Sequence, residues 1–130
     1  MVWTEVFAVF LVSHLVGDFA FQTEWQARHK RRGLGHDAVS RRALMTHVST
    51  YMLAFIPAFA WLWDPGAGLV LAAAGLLFTT HLVQDDGRLL DAYLRRVKHT
   101  DPRVHPLVAA ALDQTFHVIV LFGLAILVLA

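Results

Sequence analysis

The residues of this sequence best suited to chemistry come as histidine–carboxylate pairs four positions apart. His14 and Asp18 stand at i and i+4 within Ser13-His14-Leu15-Val16-Gly17-Asp18-Phe19-Ala20-Phe21-Gln22. His81 and Asp85 repeat the spacing, and Asp113 and His117 repeat it in reverse order. Residues four apart share a helix face, so each pair presents an imidazole beside a carboxylate. Imidazole nitrogen with carboxylate oxygen suits Zn²⁺, Mn²⁺ or Fe²⁺ better than Ca²⁺. An ion of that class acts as a Lewis acid and lowers the pKa of a bound water. The sequence has no cysteine, so thiolate metal sites and disulfides are excluded.

The elements that must position these pairs are apolar. Hydrophobic residues make up 57% of the 130 residues and charged residues only 16%, against roughly 25% charged in soluble domains. The excess apolar surface is expected to face lipid. Four runs, 2–21, 43–63, 66–84 and 107–130, approach or exceed the ~20 residues that cross a bilayer. The first lacks a basic leader and a small-residue cleavage site and carries His14 and Asp18, so it is expected to stay as a mature span. All eleven Lys and Arg residues fall between the first and second runs or between the third and fourth. The positive-inside rule then places both basic loops in the cytoplasm and both termini outside, in a bacterial inner membrane. Trp3, Trp61 and Trp63 fall at the outer interface and Trp25 at the inner one.

Within the loops, Gly33-Leu34-Gly35 reads as a turn, and Asp64-Pro65-Gly66 as a tight one. Leu89, Leu90, Tyr93, Leu94 and Val97 recur opposite Arg88, Asp91, Arg95 and Lys98, which predicts a short amphipathic helix on the inner surface. Pro57 is expected to kink the second span, and Gly75 with Ala72, Ala73 and Ala74 to offer the third a small-residue packing face. The expected fold is therefore all-α: a single integral membrane domain over residues 1–130, a four-helix transmembrane bundle with that amphipathic helix between the third and fourth spans.

This topology gathers the pairs. Spans one and three run inward and span four runs outward, so the reversed order in Asp113/His117 puts every histidine deeper than its carboxylate. His47, near the inner end of the second span, falls at a similar level. A carboxylate at mid-membrane depth costs about 2.5–3.5 kcal/mol, less toward the interface. Protonation, a bound cation, or a loop arginine such as Arg88 must offset it. The candidate ligands are His14, Asp18, His47, His81, Asp85, Asp113 and His117, enough for one ion or two. Asp18 or Asp113 is the candidate general base, Gln22 and Gln114 are hydrogen-bonding supports, and Arg31, Arg32, Arg95 and Arg96 are candidate lipid-headgroup contacts. His29, His36, His99 and His105 read as surface histidines. Taken singly, each pair would be an interhelical hydrogen-bond clamp worth only about 0.6 kcal/mol.

The run S-H-L-V-G-D-F-A-F-Q, with His47, H-L-V-Q-D and D-Q-T-F-H, resembles a small bacterial and phage membrane family, domain of unknown function 3307, over nearly the whole chain. The matching positions are His14, Gly17, Asp18, Gln22, His47, His81, Asp85, Asp113, Gln114 and His117; Gln84 stands where the family has an apolar residue. The family is loosely similar to membrane-bound metal-dependent hydrolases, and the resemblance implies metal chemistry without a substrate. The reading is a divalent-metal-binding membrane protein that hydrolyses an anionic amphiphile at the cytoplasmic leaflet. The alternatives are translocation of a divalent metal or proton, and a non-catalytic accessory role. Membrane lipid is the expected partner, no nucleic acid is expected, and a homodimer is compatible with so small a bundle.

Overall fold

An apolar segment must satisfy its own backbone polar groups, and a helix does so without a partner chain. The computed structural model describes residues 1–63 and 66–129, and every regular element among them is helical. Asp64 and Pro65 of the expected 64–66 turn, and Ala130 at the expected end of the last span, lie outside the described residues. The elements are α1 (Trp3–Leu15), continued by a π-helical turn (Val16–Ala20), α2 (Glu24–His29), α3 (Ala38–Ala54), α4 (Ile56–Trp61), α5 (Ala67–Asp86), α6 (Arg88–Arg96) and α7 (Pro106–Leu127).

Three helical segments, Trp3–Ala20, Ala67–Asp86 and Pro106–Leu127, are long and apolar enough to cross a membrane. The expected second span, 43–63, is not a single helix: the chain breaks at Phe55 between α3 and α4. Pro57 is the cause, because it has no N–H to give and its ring crowds the carbonyl one turn back. The short helix at Arg88–Arg96 matches the expected amphipathic one, with Leu90 and Leu94 buried and Arg95 and Arg96 exposed. Gly87, at φ 79°, is the left-handed residue that ends α5 and lets α6 turn away. The packing face of α5 differs from expectation. Ala73 and Leu77 are buried, whereas a Cβ added at Gly75 would meet no atom within 4 Å.

The core is built in layers one helical turn apart. Phe10, Tyr51, Leu77 and Leu121 form one buried layer, with Val6, Phe55, Ala73 and Ala125 beyond it. One turn the other way from the first layer stand His14, His47, His81 and His117, all at most 2% exposed. The alignment follows from direction. α3 and α7 run opposite to α1 and α5, so the aromatic or leucine follows the histidine in one pair of helices and precedes it in the other.

The basic segment between α2 and α3 is held down by Asp86, a residue that sequence reasoning did not single out. Its carboxylate accepts from the Leu34 N–H at 2.8 Å and lies 3.4 Å from Arg88 Nε, and its backbone carbonyl accepts from the Arg32 N–H at 2.8 Å. Asp37 caps α3 by accepting from the Ser40 N–H at 2.7 Å, and this bond holds its carboxyl below the usual range. Thr23 and Gln26 make a reciprocal capping box that starts α2. Asp86→Ala strands the Leu34 N–H, a loss of about 1–3 kcal/mol. The expected result is a lower Tm in mild detergent with faster amide exchange at Leu34. Unchanged exchange there would mean that Asp86 does not anchor the loop.

Candidate metal centre

Each of the four core helices contributes one histidine to a single level, and the carboxylates come from α5 and from the π-helical turn. In that turn the Phe21 N–H reaches the Val16 carbonyl at 2.9 Å, an i→i+5 bond that inserts one extra residue into the helix. Asp18 lies in this turn, with Gly17 before it. Gly17 is there because α3 passes so close: a Cβ would sit 2.6 Å from the Tyr51 ring. Asp18 is thereby brought up to α3 and α5, while remaining within 3.8 Å of its helix neighbour His14.

Four side chains meet at one point. His47 Nε2 lies 3.3 Å from Asp18 Oδ1 and 2.8 Å from an Asp85 oxygen. His81 Nε2 lies 3.4 Å from Asp18 Oδ1, 3.2 Å from the same Asp85 oxygen and 3.2 Å from His47 Nε2. One donor atom from each of Asp18, His47, His81 and Asp85 lies within 4.8 Å of the other three, and all four residues are buried. An ion with ligands at about 2.0–2.1 Å, arranged tetrahedrally, sets them about 3.3 Å apart. The five distances above run from 2.8 to 3.4 Å. These residues therefore fit a divalent ion of the zinc class, and the group could hold one.

The remaining predicted ligands separate into different roles. His14 has no nitrogen to spare: its Nδ1 faces the Tyr51 hydroxyl at 3.1 Å and its Nε2 the Gln114 carbonyl oxygen at 3.0 Å. With Gln114 accepting, His14 carries its proton on Nε2, and the Tyr51 hydroxyl donates to Nδ1. The Gln114 amide in turn donates to Asp18 Oδ2 at 3.2 Å, leaving Oδ1 turned to the histidines. His117 is the opposite case. Its Nδ1 donates to the Asp113 backbone carbonyl at 2.8 Å, so its Nε2 is left without a hydrogen-bond partner, 3.5 Å from Asp85 Oδ1. That oxygen, too, has no hydrogen-bond partner. Asp113 lies at the rim, a quarter exposed, with its carboxylate 3.8 Å from His117 Nδ1. Gln22 keeps a buried carbonyl oxygen without a partner and makes no hydrogen bond to the four. His29, His36, His99 and His105 are exposed.

Lys30 and Tyr51 complete the site and were not foreseen. Lys30 Nζ reaches in from the end of α2 to within 3.0 Å of Asp85, whereas Arg88, the expected neighbour, pairs with Asp86. Lys30 is the one lysine among the arginines of its run, and its spacing gives no sign that it reaches Asp85. The Tyr51 ring stacks on His81 at a centroid distance of 3.5 Å, and its position one turn after His47 was a readable signal. Outside this group a cavity of about 540 Å³ reaches Asp85 and Asp113, lined by Lys30, Arg31, Arg32, Arg95 and Arg103 among others. Arg96 is exposed and does not line it. At its edge Arg103 hydrogen-bonds Asp101 and holds that carboxyl down to about 2, so the pair is ionised at ordinary pH.

The family model described as "Protein of unknown function (DUF3307)" matches residues 6–129, in agreement with the resemblance carried by the motifs. No curated protein and no solved structure matches the chain.

Because Tyr51 touches Gly17, His14 and His81 together, Gly17→Ala should disturb the whole group. Overpacking of this kind costs about 1–3 kcal/mol. A Tm in detergent equal to that of the wild type would mean that the α1–α3 approach is looser than the 2.6 Å contact implies.

Proposed function

Since the chain belongs to this family of unknown function, we propose from the site itself that it is a membrane-embedded metal-dependent hydrolase acting on an anionic amphiphile. The carrying observation is that four buried donor atoms, with five of their six separations between 2.8 and 3.4 Å, adjoin a cavity lined by cations. Asp18, His47, His81 and Asp85 hold the ion, with the lone pair of His117 Nε2 close by, 3.5 Å from Asp85 Oδ1. Zn²⁺, Mn²⁺ and Fe²⁺ match these ligands, and when bound such an ion supplies a Lewis acid and a water of lowered pKa. His14 and Gln114 orient Asp18 through two hydrogen bonds.

Asp113 is the better-placed general base, because Asp18 is taken up by the imidazoles while Asp113 lines the cavity. Lys30, Arg31, Arg32, Arg95 and Arg103 attract and orient the anionic head. In this reading α3 and α4 together make a fourth crossing. The basic segments face the cytoplasm of a bacterium, and membrane lipid is the source of substrate. Translocation is the weaker reading. The two apolar layers beyond the histidines, from Phe10 and Tyr51 to Val6 and Phe55, offer an ion no polar path onward.

Elemental analysis of protein purified in mild detergent tests the centre. About one zinc-class ion per chain is expected for the wild type, as a four-ligand site would hold, and it should be lost in His47→Ala and Asp18→Asn. Wild-type protein that takes up no ion at micromolar zinc or manganese overturns the metal reading. Asp113→Asn should keep the ion and lose hydrolysis of a phosphate-ester lipid in mixed micelles by about 10²–10⁴-fold, the range for a general base. Full activity in that variant would remove Asp113 from the role.

A further inference from the structure

Next to the cationic cavity lies a second depression of about 360 Å³, and the two share Leu90 and Asp113 as walls. Its character is different. Leu89 and Tyr93 of α6 face Phe116, Ile119 and Val120 of α7, and the Tyr93 and Phe116 rings meet edge to face at 5.2 Å. The cationic cavity carries five basic side chains against the carboxylates of Asp85, Asp91 and Asp113 and of Asp101, which pairs with Arg103 at its edge, an excess of one positive charge (five minus four). Asp91 is already engaged by Arg31 at 2.6 Å. A charged recess running into an apolar groove, with one wall in common, complements a molecule that is anionic at one end and hydrocarbon at the other.

We propose that the two depressions form one binding site for a single amphiphile, its phosphate head among Lys30, Arg32 and Arg95 and its chain along the groove between α6 and α7. Asp113 then stands where head and chain join, which is where an ester bond would lie. The inference rests on reading the cationic cavity as the mouth of the metal centre, although binding of the amphiphile needs no ion. It adds a direction of entry: Ile119 is 59% exposed on the outer face of α7, so the chain would arrive sideways, from the lipid.

Binding of n-alkyl phosphates from ethyl to octyl, measured calorimetrically on the full chain in amphipol with a chelator present and empty amphipol subtracted, tests this. Affinity should rise about fourfold per methylene, the equivalent of ~0.8 kcal/mol for a buried CH₂, until the groove is filled. Ile119→Trp should flatten that rise and leave inorganic phosphate binding unchanged. Arg95→Gln should weaken every chain length by a similar factor. Alkyl trimethylammonium ions that bind as well as the phosphates would mean an unselective lipid-facing surface and overturn the proposal. So would alkyl phosphates that bind no better than inorganic phosphate. The chelator keeps the outcomes apart. A chain that binds no metal can still pass this test, and an active hydrolase that ignores chain length fails only this one.

Discussion

Two carboxylates, Asp18 and Asp85, are buried against the same pair of imidazoles, and the protein must compensate that charge. Lys30 supplies one positive charge, in contact with Asp85 only. With neutral imidazoles the group keeps one net negative charge, two carboxylates less one ammonium, in surroundings where an uncompensated ion is costly. A bound cation where His47 and His81 converge, or a proton on one of these imidazoles, would offset it. Nearly every other feature of the fold can be understood as bringing these groups to one level and closing it on one side.

The helix directions do the first part. A repeat of one helical turn puts an apolar residue, a histidine and then a polar or small residue along each core helix, and alternating direction stacks them into layers. The imidazole layer lies between a sealed apolar half and a half open to the basic segments. The π-helical turn does the second part. An α-helix would keep Asp18 on the His14 face; the extra residue brings it up to α3 and α5, and Gly17 makes room for Tyr51 to hold both His14 and His81. The local irregularity thus falls at the group that could hold a metal ion.

Much of this was legible in the sequence because its periodicity is simple. Histidine and aspartate four apart in apolar runs, with the order reversed in one run, predicted the common level, and the residues at 88–98 predicted α6. Three things were not legible. Helical spacing alone cannot foresee a π turn, since the same residues read as a regular helix until tertiary contact rewards the extra residue. Long side chains from loops are unconstrained by periodicity, so Lys30 and the anchor at Asp86 were hidden among other charges. The tautomers of His14 and His117 depend on Tyr51, Gln114 and a backbone carbonyl, partners distant in sequence or indistinct in it, and these decide which histidine can donate to a cation. The break at Phe55 was half visible: Pro57 announced a kink, and the interruption is a single residue that stays in the right-handed helical region.

A purely structural clamp of these residues would have a different appearance. Interhelical hydrogen bonds in membranes contribute about 0.6 kcal/mol on average, whereas a buried polar atom without a partner costs about 1–3 kcal/mol. A clamp is useful only if its donors and acceptors pair off. Here Asp18 Oδ1, Asp85 Oδ1, His117 Nε2 and the Nδ1 atoms of His47 and His81 have no hydrogen-bond partner, and they concentrate within one group. By contrast, His14 is paired through both nitrogens and Gln114 through its oxygen and its amide, whereas Gln22 alone outside the group keeps a buried side-chain oxygen unpaired among the described residues. A deficit concentrated in this one group is what residues that could hold an ion would leave. Three of the five unpaired atoms are acceptors, two carboxylate oxygens and the unprotonated His117 nitrogen, and they gather beside the group that could hold a metal ion.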